Sequence, residues 1–247
     1  MDTNFKNLFL EKWNKFFPKA DLPIIFYYTD ELNSEEFTDS RYEHRCLINN
    51  LTTVREGTSV YFEVSSIGCM GGRRYLGFSQ KLRSNFDYFL SCGITGELDG
   101  ERYKKSPEII NELLRIQPPF KAPGKYIVFK RWDKLNESDE PIVIIFFAKP
   151  DVISGLFTLS GFDEARADSV IAPFSSGCGS IVYQPYREVH QDNPRAVLGM
   201  FDISARPFVP SNYLSFSIPM KKFIEMVNNM NESFLITDSW EQIKQRI

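Results

Sequence analysis

Histidine is the scarcest of the chemistry-bearing residues: only His44 and His190 occur among 247 positions. A Ser-His or Cys-His catalytic pair therefore has little to draw on, and neither histidine sits in a recognisable motif. There are four cysteines, Cys46, Cys69, Cys92 and Cys178, and no two are spaced C-x-x-C. That argues against a disulfide scaffold in a chain of this length and removes the local spacing that makes a zinc site legible. A basic excess is missing as well. Lys plus Arg number 29 against 32 Asp plus Glu, for a net charge of −3, without the positive balance of a nucleic-acid-binding surface. No apolar run approaches the roughly 20 residues needed to span a bilayer, and the longest, "PIVIIFFAK" from Pro141, is strand-sized. The phosphate-binding patterns G-x-G-x-x-G and G-x-x-x-x-G-K-[ST] are absent. "MDTNFKNLFLEKW" lacks the apolar core of a signal peptide. The expectation is a cytoplasmic protein without a membrane or nucleic-acid partner.

Aromatic residues are plentiful, with 22 Phe and 11 Tyr, enough for a bulky core or a flat ligand pocket. Phe5, Phe9, Trp13, Phe16 and Phe17 recur at helical spacing before Pro18, which predicts an amphipathic helix. "LPIIFYYT", "KYIVFKRW", "EPIVIIFFAKP" and "NYLSFSI" read as strands. "RYEHRCLINNLTTVREG" places Cys46, Leu47, Leu51 and Val54 near one helical face. "SPEIINELLRIQ" predicts a helix capped at Ser106, with Pro107 in its first position. "DVISGLFTLSGFDEA", "PMKKFIEMVNNM" and "SWEQIKQRI" complete the helical segments. "PPFKAPG", residues 118–124, reads as a linker. Strands and helices mix without a strict βαβ rhythm. The expectation is α+β: a mixed sheet with helices packed on it, one domain over 1–247, with pseudo-duplicated halves 1–117 and 125–247.

The duplication idea comes from two similar corners. "SVYFEVSSIGCMGGRRYLGF" runs from a strand into Gly68, Cys69, Gly71, Gly72, Arg73 and Arg74. "SVIAPFSSGCGSIVYQPY" runs from a strand into Gly177, Cys178, Gly179 and Ser180. Three chemistries suit such corners. Cys46, Cys69 and Cys178 could ligate an iron–sulfur cluster or another thiolate-bound metal, with His44 or Cys92 as a fourth ligand. Cys69 could be a nucleophile, its thiolate favoured by Arg73 and Arg74. The glycine turns could present N–H groups to a small anionic ligand or cofactor, with the two guanidinium groups beside them. Tyr61, Tyr75, Phe78, Tyr183 or Tyr186 could wall the pocket. The plain alternative is that these are buried thiols and tight turns, the reading applied outright to Cys92. Asp202 and Arg206, four apart, suggest an ion pair. His190 reads as solvent-exposed, and residues 30–40 as an acidic loop.

"CMGGRRYLGF" resembles the Cys-x-Gly-Gly-x-x-x-Leu-Gly signature of the domain of unknown function 169 family, also called ArCR. "ADSVIAPFSSGCGS" is similar to its second block, and "MFDISARPF" with "LSFSIPMKKFIEMV" to its C-terminal stretch. "YEHRCLINNLTTVREG" resembles the region before the first block, so the likeness runs from about residue 40 to 230. Ile181 and Val182 stand where the family's second block is expected to carry an arginine. The resemblance implies relatedness and supplies no reaction. Together these readings place a small-molecule site where the two Gly-Cys corners approach each other, with Cys69 as its most reactive member.

Overall fold

The computed structural model describes residues 1–33, 37 and 46–247; His44 and most of the acidic loop lie outside them. In chain order the elements are α1 (Thr3–Phe16), β1 (Ile24–Thr29), α2 (Leu47–Arg55), β2 (Val60–Phe62), α3 (Met70–Tyr75), α4 (Phe86–Leu90) and α5 (Pro107–Ile116). Then follow β3 (Tyr126–Arg131), β4 (Val143–Ala148), α6 (Pro150–Ser160) and β5 (Val170–Ile171). A π-helical turn at Gly179–Tyr183 leads into α7 (Gln184–Val189), followed by β6 (Ala196–Gly199), β7 (Leu214–Pro219), α8 (Met220–Asn229) and α9 (Asp238–Lys244).

The strands form one seven-stranded sheet in the order β2-β3-β1-β4-β7-β6-β5. Every pairing is antiparallel except β5 with β6, which is parallel. The fold is thus α+β with a mixed sheet. β3 lies between β2 and β1, so strands from before residue 118 and after residue 124 share the same ladder.

β4 explains why "VIIFFA" has no polar alternation: both faces of the sheet are covered. Ile144, Phe146 and Ala148 point into a core built with Phe9 and Trp13 of α1, Leu156 of α6, Phe223 of α8 and Trp240 of α9. Val143, Ile145 and Phe147 point into the opposite core, with Leu51 and Val54 of α2, Ile181, Val182 and Met200. Each fully buried side chain of this size contributes about 1.5–3 kcal/mol. Ile181 and Val182 are completely buried, which is why no arginine is accommodated there.

Local chemistry sets several boundaries. The Asp2 carboxylate accepts the Asn4 N–H at 2.7 Å and caps α1. Pro107 opens α5 after an extended Ser106. Residues 118–124 are pinned by contacts with other segments. The Ala122 N–H donates to the Gly77 carbonyl at 2.9 Å, and the Phe120 ring stacks on Tyr186 at 4.5 Å. Among the described residues no helix is long and apolar enough to cross a membrane.

Candidate functional site

The first corner leaves β2 through a Glu63–Ser66 turn and reaches Cys69, whose extended backbone precedes α3. Its positive side chains serve the fold as well as the surface. The Arg73 Nε donates to the Ile67 carbonyl at 2.6 Å, tying the helix back onto the turn. Gly72 is closely packed: a Cβ there would lie 3.0 Å from the Ile67 methyl.

The second corner is a helix start whose donors are already engaged. Ser176 caps it, accepting the Gly179 N–H at 3.0 Å, and the Gly177 N–H donates to Asp202 Oδ2 at 2.8 Å. The expectation that these glycine turns hold free N–H groups for an anion is therefore not met at Gly177, whose N–H goes to the Asp202 carboxylate 25 residues away, or at Gly179, whose N–H goes to the Ser176 hydroxyl. Ser180 Oγ donates to the Gly177 carbonyl at 2.8 Å and accepts the Met200 N–H at 3.2 Å. Met200 holds this position at φ +69°, a left-handed conformation that costs a side-chain-bearing residue roughly 1–2 kcal/mol.

The corners meet through Tyr75. Its ring packs edge-on to Tyr183 at 5.8 Å, and a Cβ on Gly179 would approach it to 3.2 Å. Between them opens a cavity of about 860 Å³. Of the corner residues, Cys69, Gly71, Arg74 and Ser180 line it; Gly68, Gly72, Arg73, Gly177, Cys178 and Gly179 do not. Of the five aromatics expected to wall a pocket, only Tyr75 does so. Tyr183 and Tyr186 instead pack on Phe120, Phe78 and Tyr186 pack on Tyr28, and Tyr61 lies against Tyr126.

Much of the wall comes from residues that the sequence analysis did not single out. Phe86, Phe89 and Leu90 of α4, with Ile110, Leu113 and Leu114 of α5, turn their apolar faces to the cavity. α4 contains no fully buried residue. This helical arm is joined to the body by Tyr103, whose hydroxyl donates to Asp202 Oδ1 at 3.1 Å. The Ser204 N–H and hydroxyl donate to the same oxygen at 3.0 and 2.8 Å. The expected Asp202–Arg206 ion pair is not formed. Asp202 caps the second corner, and Arg206 donates to the carbonyls of Ser211 and Tyr213.

The four thiols separate by environment. Cys69 is exposed on the cavity wall, Cys46 is half-buried, and Cys178 is buried in the core. Cys92 is exposed, which corrects its reading as a buried structural residue: the turn that carries it faces solvent. Among the described residues, no three His, Cys, Asp or Glu side chains are grouped so that they could hold a metal ion. The expected Cys46, Cys69 and Cys178 ligand set thus finds no support. His190 is exposed, its ring edge-on to Tyr186 at 4.9 Å and off the cavity.

Burial pushes the Cys178 thiol well up, and the nearby Cys69 and Cys46 add to the shift. In the unfolded chain this thiol ionises from about pH 8.5, while in the folded chain it keeps its proton. Below pH 8 both states are protonated and the group contributes no pH dependence. Above about pH 8.5 the folded state binds one proton more, and stability falls by roughly 1.4 kcal/mol per pH unit. Thermal melts should be flat for this group from pH 6 to 8 and decline above it, with a shallower decline in Cys178→Ala. Equal slopes in the two proteins would assign the effect elsewhere.

Two polar groups at the cavity stand out. Arg74 is only 7% exposed; its Nη1 donates to the Gln80 carbonyl at 3.0 Å, and among the described residues no carboxylate pairs with it. Ser175 lines the same cavity, and its buried Oγ has no hydrogen-bond partner. A buried guanidinium without a counter-charge is costly, so such an arrangement in a cavity wall suits an incoming anion.

No curated protein and no solved structure matches the chain. A family model does match, over residues 22–229, and so takes in all seven strands, both corners and the cavity wall. The chain belongs to the DUF169 family, described as uncharacterised ArCR.

Proposed function

We propose that the protein binds a small organic anion in the cavity between the two Gly-Cys corners and the α4–α5 arm. The observation that carries this reading is Arg74: a residue only 7% exposed, without a carboxylate partner among the described residues, in an otherwise largely apolar wall. Ser175 is a second polar residue of the same wall, its buried Oγ without a hydrogen-bond partner. The cavity volume of about 860 Å³ lies within the range of ligand sites, roughly 300–1,000 Å³. A thiol-dependent reaction is the second reading, favoured by one observation: Cys69 is exposed on this same wall. Metal ligation by Cys46, Cys69 and Cys178 has no comparable support.

The test is the substitution Arg74→Met. Removing an unpaired buried charge should leave the unliganded protein as stable as before, or lose no more than about 1 kcal/mol with the Gln80 hydrogen bond. Decanoate, benzoate and decyl phosphate should be screened by thermal shift, since a ligand of the native state raises the melting temperature by mass action. At least one should stabilise the parent protein, and its shift at the same concentration should be clearly smaller in Arg74→Met. A large loss of unliganded stability in Arg74→Met, with ligand shifts retained, would make Arg74 a structural residue and overturn the proposal. The same screen on Cys69→Ser should be unchanged; loss of the shift there would favour the thiol reading.

A further inference from the structure

We infer that the ligand is an apolar monocarboxylic acid, alkyl or aryl, held by one edge of Arg74. This inference rests on the anion-binding reading and narrows it to a substrate class.

The guanidinium presents donors on distinct edges, and this protein shows how it uses them. Arg131 grips Asp133 through Nε and Nη2, at 2.6 and 2.9 Å. Arg195 grips Glu188 through the same two atoms, at 3.1 and 2.7 Å. That edge sets two parallel N–H groups against the two oxygens of a planar carboxylate. In Arg74 the Gln80 carbonyl occupies Nη1, and among the described residues the Nε–Nη2 edge meets no acceptor. What is vacant on Arg74 is the edge that receives a carboxylate elsewhere in the chain.

Charge counting excludes a more highly charged ligand. A second negative charge inside a largely apolar cavity would need its own partner. Asp202, in the same wall, contributes a negative charge of its own. The other cations of the wall, Lys81 and Arg83, are exposed, and the Arg83 guanidinium lies over the Phe89 ring at 4.2 Å; their charges are solvated and screened. At the second corner the backbone donors suited to a phosphate are engaged, Gly177 by Asp202 and Gly179 by Ser176. The rest of the wall, including Phe86, Phe89, Leu113 and Leu114, suits a hydrocarbon body.

Calorimetric titration of a matched series tests this: decanoate, decanol, decanedioate and decyl phosphate, with 4-phenylbutyrate and 4-phenylbutanol as a second scaffold. At least one of the two monocarboxylates should bind, with its alcohol at least tenfold weaker and, for the decyl series, the dianions at least tenfold weaker. In Arg74→Met the acid and alcohol of each scaffold should bind equally. Arg74→Lys, which keeps the charge and loses the fork, should weaken the acid by at least tenfold. Tighter binding of decyl phosphate or decanedioate that still requires Arg74 would overturn the monocarboxylate class and leave the anion reading standing. Equal binding of acid and alcohol by the parent protein would overturn both. Failure of both monocarboxylates to bind would overturn the class.

Discussion

Asp139→Ala should lower the unfolding free energy by about 3–5 kcal/mol. Asp139 and Lys130 are each about 1% exposed, with Lys130 Nζ 2.8 and 3.0 Å from the two carboxylate oxygens. The carboxylate also accepts the Tyr27 hydroxyl at 2.6 Å and the Asn136 N–H at 2.8 Å. It therefore joins β1, β3 and the loop before β4. Removing it takes away a carboxylate that accepts from Lys130, Tyr27 and Asn136 at once, so buried donors on three segments lose an acceptor together. The intact pair is a different matter: attraction and desolvation nearly cancel in such pairs, so an apolar replacement of both partners can be close to neutral. Lys130→Met with Asp139→Leu and Tyr27→Phe should recover more than half of the single-variant loss. Urea denaturation of the parent, single and triple variants checks this. A loss below about 1 kcal/mol for Asp139→Ala would show that water reaches the ammonium group.

Gly199→Ala should cost about 1–3 kcal/mol by overpacking and should weaken ligand binding as well. Gly199 ends β6 opposite Ser215. A Cβ there would lie 2.4 Å from Ser180 Cβ and 2.9 Å from Ser215 Oγ. Rotation of a side chain cannot relieve a clash with a Cβ, so the π-helical turn carrying Ser180 must lift from the sheet. That movement would pull Ser180 Oγ from the Met200 N–H and deform the cavity wall, of which Gly199, Ser180 and Met200 are all part. Ser180→Gly removes the opposing Cβ, so Gly199→Ala with Ser180→Gly should regain stability relative to Gly199→Ala alone. The double-mutant cycle by urea denaturation, with decanoate titration alongside, measures both effects. Additive losses in the double variant would show that the two positions do not press on each other.

Local periodicity determined much of this protein from its sequence alone. The spacing of Phe9, Trp13 and Phe16 marks α1, Ser106-Pro107 marks the start of α5, and the unbroken apolar run of β4 marks a strand covered on both faces. These signals are legible because helix and strand periods depend only on neighbours a few residues away. The α+β class follows from them, and the order of the cysteine and glycine motifs pointed to the DUF169 family. Tertiary structure decided what the corners do. Cys69 and Cys178 look alike in sequence, yet one faces solvent at the cavity and the other lies in the core. The Gly177 N–H is engaged because Asp202 folds back from 25 residues away. The apolar residues Ile110, Leu113 and Leu114 of α5 mark a helix face in the sequence, and only the structure shows that the face walls the cavity. Arg73 and Arg74 are neighbours, but Arg73 is turned to the Ile67 carbonyl while Arg74 is buried, with one edge that meets no acceptor among the described residues. Each of these outcomes depends on which distant group supplies the matching acceptor, charge or surface, and only long-range packing determines that.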